Sequence, residues 1–314
     1  MINFRFHLVS LVAVFLALTV GIVVGASIVN RAIVDGLNNR IDKVEKNADT
    51  QRNANRALSA SAQQLQSYLQ TAAPYVVEGR LTAVPVVVVA ERGVDRTAVR
   101  SVVTLFQDAG AHAPAIVWLE AKWQLDQPDE RTKLAQIVGD SATSTALRTD
   151  ALTALAARLG TAASSKTSSA SDVLSAMTSA GFVSIEGVGV GGSTDLSTFP
   201  AAGVRVAVIG GEASALASKP LMVPLASAFS VLAVPTVAGE VYRATNGVPA
   251  RAAMVAAIRK DSTLHTTVST VDDVDLVQGQ VAVVLATAES GEAKVGNYGY
   301  GAGADQALPS WSGP

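Results

Sequence analysis

An uncharged apolar segment over residues 8–29 limits the folds open to this chain more than any other feature of its sequence. A helix rises about 1.5 Å per residue, so this segment spans roughly 33 Å and matches the hydrocarbon core of a bilayer. Arg5 makes a cleaved signal peptide the alternative, but the apolar run is long for one and Ala26-Ser27 is a poor cleavage site. We therefore expect an uncleaved transmembrane helix over residues 8–29, preceded by a short cytoplasmic tail over residues 1–7.

Two glycines, Gly21 and Gly25, lie one helical turn apart inside the apolar segment. Such a small-xxx-small pair lets two membrane helices approach closely, although two glycines are also tolerated in a membrane helix without any partner. A first helix with a short N-terminal tail usually behaves as a signal anchor. We therefore expect a single-pass protein of the cell membrane or envelope, with the bulk of the chain on the extracytoplasmic side.

Beyond the apolar segment, residues suited to a helix interface recur at alternating three- and four-residue steps, which is the a/d pattern of a coiled coil. The first proline is Pro74, so the pattern predicts one helical stalk over residues 30–73. We expect the stalk to pair with a second copy as a homodimer; a lone amphipathic helix that folds back on the globular part is the alternative. The predicted seam includes Ile41, Val44, Asn55, Leu58, Leu65 and Leu69.

From residue 84 onward, short β-branched runs alternate with helical segments, and continuous runs of this kind are typical of buried parallel strands. The alternation predicts an extracytoplasmic α/β domain over residues 80–304, with an open, mostly parallel sheet between helices, and a flexible tail over residues 305–314. A small polar stretch at 161–171 indicates a linker or exposed loop. The predicted segments are strand 84–91, helix 95–109, strand 115–120, helices 128–138, 149–159 and 172–180, strands 182–185 and 204–211, a helix ending near residue 229, strand 231–237, helix 249–260 and strand 280–288.

Composition and motifs exclude several classes of function. A net charge of −2 leaves no excess of cations for nucleic acid, and the absence of Cys excludes disulfides, thiolate metal sites and Cys nucleophiles. The glycine pattern at 187–192 resembles a dinucleotide motif, but no helix follows it. Only His112 and His265 lie away from the membrane segment. We therefore expect no enzymatic activity and predict no catalytic, cofactor-binding or metal-binding residues and no cofactor.

The densest group of polar residues is an acidic cluster formed by Asp272, Asp273 and Asp275. Three carboxylates so close together could hold a hard cation, or they could cap an element and accept hydrogen bonds from the tail that follows. This tail, residues 296–303, is rich in glycine and is expected to form a loop near the aspartates. The possible interaction site predicted here consists of Asp272, Asp273, Asp275, Tyr298, Gly299 and Tyr300.

Two stretches of the sequence resemble a known family. They are HLVSLVAVFLALTVGIVVG at 7–25 and STVDDVDLVQGQVAVVLAT at 269–287, the latter followed by GNYGYGAG at 296–303. Together they look like the actinobacterial copper transporter family of the mycobacterial copper transport protein B. The resemblance implies a cell-envelope protein with a role in copper efflux or copper tolerance, described as a channel-like membrane protein.

The residues themselves indicate no copper mechanism. Copper(I) prefers Cys, Met or His, and this chain has single, scattered methionines at Met1, Met177, Met222 and Met254. A lone membrane helix also cannot enclose a pore unless it oligomerises. Two hypotheses therefore stand: a copper-homeostasis component of the envelope, or a non-enzymatic scaffold whose dimeric stalk presents the α/β domain to an envelope partner that remodels the cell wall.

Overall fold

The computed structural model describes residues 4–161, 172–189, 192–194, 202–211, 216, 218–241, 243–245, 248–250 and 253–310. The chain divides into two units, Met1–Leu65 and Gln66–Pro314. The expected loop at 162–171 and the ends of both expected tails, residues 1–3 and 311–314, lie outside the described residues.

Helix α1 spans Phe4–Val77, and its residues 4–65 are the described part of the first unit. Its portion Phe4–Ala26 has a mean hydropathy of 2.7 and is long and apolar enough to cross a membrane. The expected N-terminal apolar helix is thereby confirmed. Further along α1, the predicted seam residues Ile41, Val44, Asn55, Leu58 and Leu65 are exposed.

The second unit is built on a mixed, mostly parallel sheet of seven strands in the order β3-β2-β1-β4-β5-β8-β9. Strand β3 pairs antiparallel with β2, and the other neighbours pair parallel. A separate hairpin joins β6 and β7. This confirms the predicted α/β class. The strands are Val86–Glu91 (β1), Ala115–Leu119 (β2), Val183–Gly187 (β3), Arg205–Gly211 (β4), Thr236–Val241 (β5), Arg243–Thr245 (β6), Val248–Ala250 (β7), Val268–Val271 (β8) and Asn297–Tyr298 (β9).

Two hydrophobic cores cover the two faces of the sheet, and successive residues of β1 enter opposite cores because side chains of a strand alternate. Val87 and Val89 pack with α4, α6 and α7 in one core, whereas Val86 and Val88 pack with α2 and α8 in the other. The helices of the second unit are Arg96–Asp108 (α2), Pro128–Val138 (α3), Leu147–Gly160 (α4), Val173–Ala180 (α5), Ser218–Val231 (α6), Ala253–Lys260 (α7) and Val277–Ser290 (α8).

The structure corrects three segments in the second half of the sequence. The segment 280–288, which was predicted to be a strand, belongs to helix α8. The strand in this region is β8, which precedes α8 in a more polar stretch of the sequence. Helix α8 is buried on most of its sides, so its apolar run has no polar face and cannot be told from a buried strand by periodicity. The predicted strand 231–237 begins only at Thr236, after the end of α6, and the predicted helix 249–260 begins at Ala253.

Helix α1 also continues beyond its predicted end. It passes Pro74 and ends at Val77. The helix continues past the proline because Ala73 and Val77 are buried in the core that contains α2 and α8. Pro74 lacks the N–H that would bond four residues back, but its own carbonyl still accepts the Glu78 N–H at 3.0 Å. Leu69, a predicted seam residue, is half-buried and packs against this same core.

The buried sheet leads to a prediction about stability. Replacing Val208, fully buried in β4, with Ala removes two methyl groups and leaves a cavity, so we expect a loss of about 2 kcal/mol in the free energy of unfolding. The same change at Val231, which is 84% exposed, should cost less than about 0.5 kcal/mol. Denaturant unfolding of the full chain in detergent, followed by the fluorescence of the buried Trp118 and Trp123, measures both. Equal shifts for the two variants would contradict the assigned core.

Candidate functional site

The candidate functional site lies at the edge of the sheet that is formed by the carboxyl ends of the parallel strands. From β1 the chain passes to β2 on one side, and it later returns to β4 on the other side of β1. The direction of winding therefore reverses between β1 and β4. In open α/β sheets, such a switch point at the carboxyl ends of the strands is where ligands bind.

Buried carboxyl groups at the ends of three strands stand along this edge. Glu91 is the last residue of β1, Glu240 lies near the end of β5, and Asp272 follows β8 directly. Each is less than 6% exposed. Since the strands are parallel, residues at their carboxyl ends are brought to one edge although they are far apart in sequence.

Glu91 lies against the end of the central strand β4. Its Oε1 accepts a hydrogen bond from the Gly211 N–H at 2.8 Å. The neighbouring Gly210 leaves no room for a side chain, because a Cβ there would lie 2.9 Å from Met254 Sδ, 3.0 Å from Glu91 Oε1 and 3.3 Å from Met222 Cγ. Two methionines and a carboxyl group thus converge on one glycine at the switch point.

Glu240 lies at the beginning of α7, where its Oε1 accepts a hydrogen bond from the Met254 N–H at 3.1 Å. Burial raises the pKa of Glu240 to about 8, and the nearby charge of Asp272 adds to this rise. Hydrogen bonds from the α7 backbone oppose the shift but do not cancel it. At neutral pH the folded protein therefore holds Glu240 largely in its protonated form.

Asp272 forms an ion pair with Arg259 of α7, at 2.9 Å between Oδ2 and Nη1, and both side chains are 5% exposed. Its two oxygens also accept the backbone N–H groups of Tyr300 at 2.7 Å and Gly301 at 2.8 Å. Burial alone would raise the pKa of Asp272, but hydrogen bonds from Asp273, Tyr300 and Arg259 outweigh it and hold the pKa below its usual range.

Arg259 connects the acidic cluster to the glycine-rich tail. Besides Asp272, its guanidinium donates to Thr270 Oγ1 at 2.8 Å, to the Tyr298 carbonyl at 2.8 Å and to the Ala302 carbonyl at 3.2 Å. The tail is therefore held against β8 by one buried cation. This agrees with the interpretation in which the aspartates accept hydrogen bonds from the tail.

The predicted interaction residues differ in how far they face solvent. Asp273 is buried and has a positive φ of 61°, and Asp275 is half-buried.

Tyr298 is buried and its hydroxyl donates to Glu289 Oε2 at 2.7 Å. Gly299 has a φ of 117°, and a Cβ there would overlap the Asp272 carboxylate. Tyr300 is 63% exposed. Among these six residues, Tyr300 offers the largest exposed side chain.

Sequence reasoning missed Glu91, Glu240, Arg259, Met222 and Met254. The only local signal was the pair of glycines at the end of the strand 204–211, since glycine at a strand end can mark a close approach. The glycine pattern at 187–192 belongs instead to antiparallel β3 and the residues after it, of which 190–191 lie outside the described residues. In the part of the chain that the structure describes, no group of three or more His, Cys, Asp or Glu residues could hold a metal ion.

A comparison with known protein families gives a match. The family model described as "Copper transport outer membrane protein, MctB" matches residues 1–309, which is nearly the whole chain. No curated protein matches the sequence.

The raised pKa of Glu240 predicts a pH-dependent stability. An unfolded Glu loses its proton near its usual pKa of 4.5, whereas the folded protein keeps the proton up to about pH 8. The folded state binds more protons in this window, so its stability should fall as the pH rises from 5 to 8. Glu240→Gln should remove this part of the fall, and the exposed Glu45→Gln should leave it in place. Denaturant unfolding across this pH range measures the free energy of unfolding. If stability changed with pH in parallel for wild type and Glu240→Gln, the raised pKa of Glu240 would be contradicted.

Proposed function

Because this chain belongs to the family of the copper transport outer membrane protein MctB, we propose that it acts in copper efflux and copper homeostasis. The family is one of copper transport-related envelope proteins, and the N-terminal apolar helix fits attachment to a membrane. The observation that carries the proposal is the match over residues 1–309, since it includes both the apolar helix and the sheet domain.

The apolar helix serves in this proposal as an uncleaved anchor. Phe4–Ala26 is long enough for one crossing, and α1 continues without a break from this portion to Val77. The bulk of the chain lies on the extracytoplasmic side, which the family's description as an envelope protein supports. One helix cannot enclose a pore, so any path for an ion through this protein needs several copies.

In this proposal the stalk pairs with a second copy as a homodimeric coiled coil. In a single chain the apolar seam residues Ile41, Val44, Leu58 and Leu65 are between 46% and 68% exposed. A second copy would remove this apolar surface from water, at about 25 cal/mol for each Å². Asn55 lies in the same seam, and a buried amide there would fix the register of the pair.

The other end of the stalk is held by the sheet domain itself. Leu69, Ala73 and Val77 face the core that contains α2 and α8, and Gln66 Nε2 donates to Gln278 Oε1 at 3.2 Å. We therefore place the pairing seam between Ile41 and Leu65 and assign the last turns of residues 30–73 to contact with the domain.

A second candidate function is a non-enzymatic scaffold that presents the α/β domain to an envelope partner. The specific observation in its favour is that the carboxylate of Asp272 is already bound by Arg259 and by two backbone N–H groups. Such a cluster stabilises a loop, and the exposed Tyr300 on that loop can contact a partner. Tyr300 belongs to the interaction site proposed with Asp272, Asp273, Asp275, Tyr298 and Gly299.

The copper proposal predicts a change in cellular copper. A strain that lacks this protein should contain more copper than its parent, because efflux is reduced, and the full chain supplied in trans should restore the parental content. Cellular copper measured by mass spectrometry tests this, with zinc as the control that should not change. Parental copper content, together with a stable complex between this protein and another envelope protein, would overturn the copper role and favour the scaffold.

The stalk proposal predicts where two copies touch. The chain has no Cys, so Leu58→Cys introduces a single thiol at a seam position. Oxidation of membranes that contain this variant should give a covalent dimer on a non-reducing gel. Ala60→Cys is the matched control, because residue 60 lies two positions away on the outer face of the proposed pair. Equal cross-linking at both positions, or none at Leu58→Cys, would contradict the seam.

A further inference from the structure

Two of the four methionines lie beside the same glycine, Gly210, although 31 residues separate them in the chain. Met222 lies on α6 and Met254 on α7, and both are fully buried. Met254 Sδ, Glu91 Oε1 and Met222 Cγ are the atoms nearest to the position that a Cβ of Gly210 would take, at 2.9, 3.0 and 3.3 Å. Met177 lies on α5 and is buried in the same core, but none of its atoms is among the three nearest to that position.

The donor set has a definite chemical preference. Thioether sulfur is a soft ligand, and among biological metals it selects copper(I). A single carboxylate beside two thioethers would balance the charge of one monovalent cation, which a buried site requires. Hard divalent cations would instead need more oxygen ligands than this point offers.

The surroundings also fit a soft monovalent ion. Glu91, Met222 and Met254 are all fully buried, so water has little access to them. The place is the switch point of the sheet, where the fold offers a ligand site on general grounds.

We propose that Met222, Met254 and Glu91 form a binding site for one copper(I) ion beside Gly210. The inference rests on the proposed copper function and deepens it, since it assigns the cargo to named donors in the sheet domain. It goes beyond the family match, which assigns no residue. The competing interpretation is that both methionines only fill an irregular gap in the core, as methionine often does.

The test is a copper(I) titration of the full chain in detergent, without oxygen, in competition with a coloured copper(I) chelator. The wild-type chain should bind one equivalent. Met222→Leu and Met254→Leu keep the volume of the side chain and remove the sulfur, so each should weaken copper(I) binding about tenfold or more. Met177→Leu is the matched control, because it removes an equally buried sulfur elsewhere and should bind copper(I) like the wild type.

Tryptophan fluorescence of each variant verifies that the fold is kept, and X-ray absorption at the copper edge should show sulfur ligands that are lost from the double variant Met222→Leu/Met254→Leu. The site is overturned if the wild type binds no copper(I), if both single variants bind it like the wild type, or if Met177→Leu weakens binding equally. The copper content of the deletion strain tests the proposed function independently of the binding site. Normal copper in the deletion strain, with intact binding in vitro, would reject that function and keep the site.

Discussion

The burial of the parallel sheet on both faces is the constraint on which the rest of the structure depends. Strands such as β1 and β4 supply side chains to two cores at once, so their residues are apolar along their whole length. The charged residues of β1, β4 and β5 accordingly lie at or next to the ends of these strands. Glu91, Glu240 and Asp272 follow this rule, and each is held by backbone N–H groups or by Arg259 at the same edge.

The same constraint explains what the sequence could predict. The run VPVVVVAE at 84–91 and the run VRVAVIGG at 204–211 are apolar at successive positions, and both are central strands. The run QVAVVLATA at 280–288 has the same character but forms α8, because a helix buried on most sides loses its polar face. The true strand β8 is short and ends in the acidic cluster, so its pattern was hidden. Local patterns identified buried segments correctly, but length and topology decided their type.

The site was beyond prediction for a related reason. Glu91 and Gly211 are 120 residues apart, and the contact between them exists only because the chain returns to the other side of β1. Met222 and Met254 looked isolated in the sequence because no local spacing relates α6 to α7. The acidic cluster was visible, since its three aspartates lie within four consecutive residues. Its partner Arg259 was not, because nothing in its sequence neighbourhood distinguishes it from a surface cation on a helix.

The electrostatics of the edge separate two kinds of metal chemistry. A hard cation at Asp272 would have to displace the buried guanidinium of Arg259, which also holds the Tyr298 and Ala302 carbonyls, so metal binding there would release the tail. The proposed site beside Gly210 needs no such exchange, because the side chains of two methionines and the carboxyl group of Glu91 lie around that glycine. A soft monovalent ion therefore fits this edge better than a hard divalent one. The Arg259–Asp272 pair remains available to fix the loop that carries Tyr300, so the two proposed roles, copper binding and scaffold, would use different residues of the same edge.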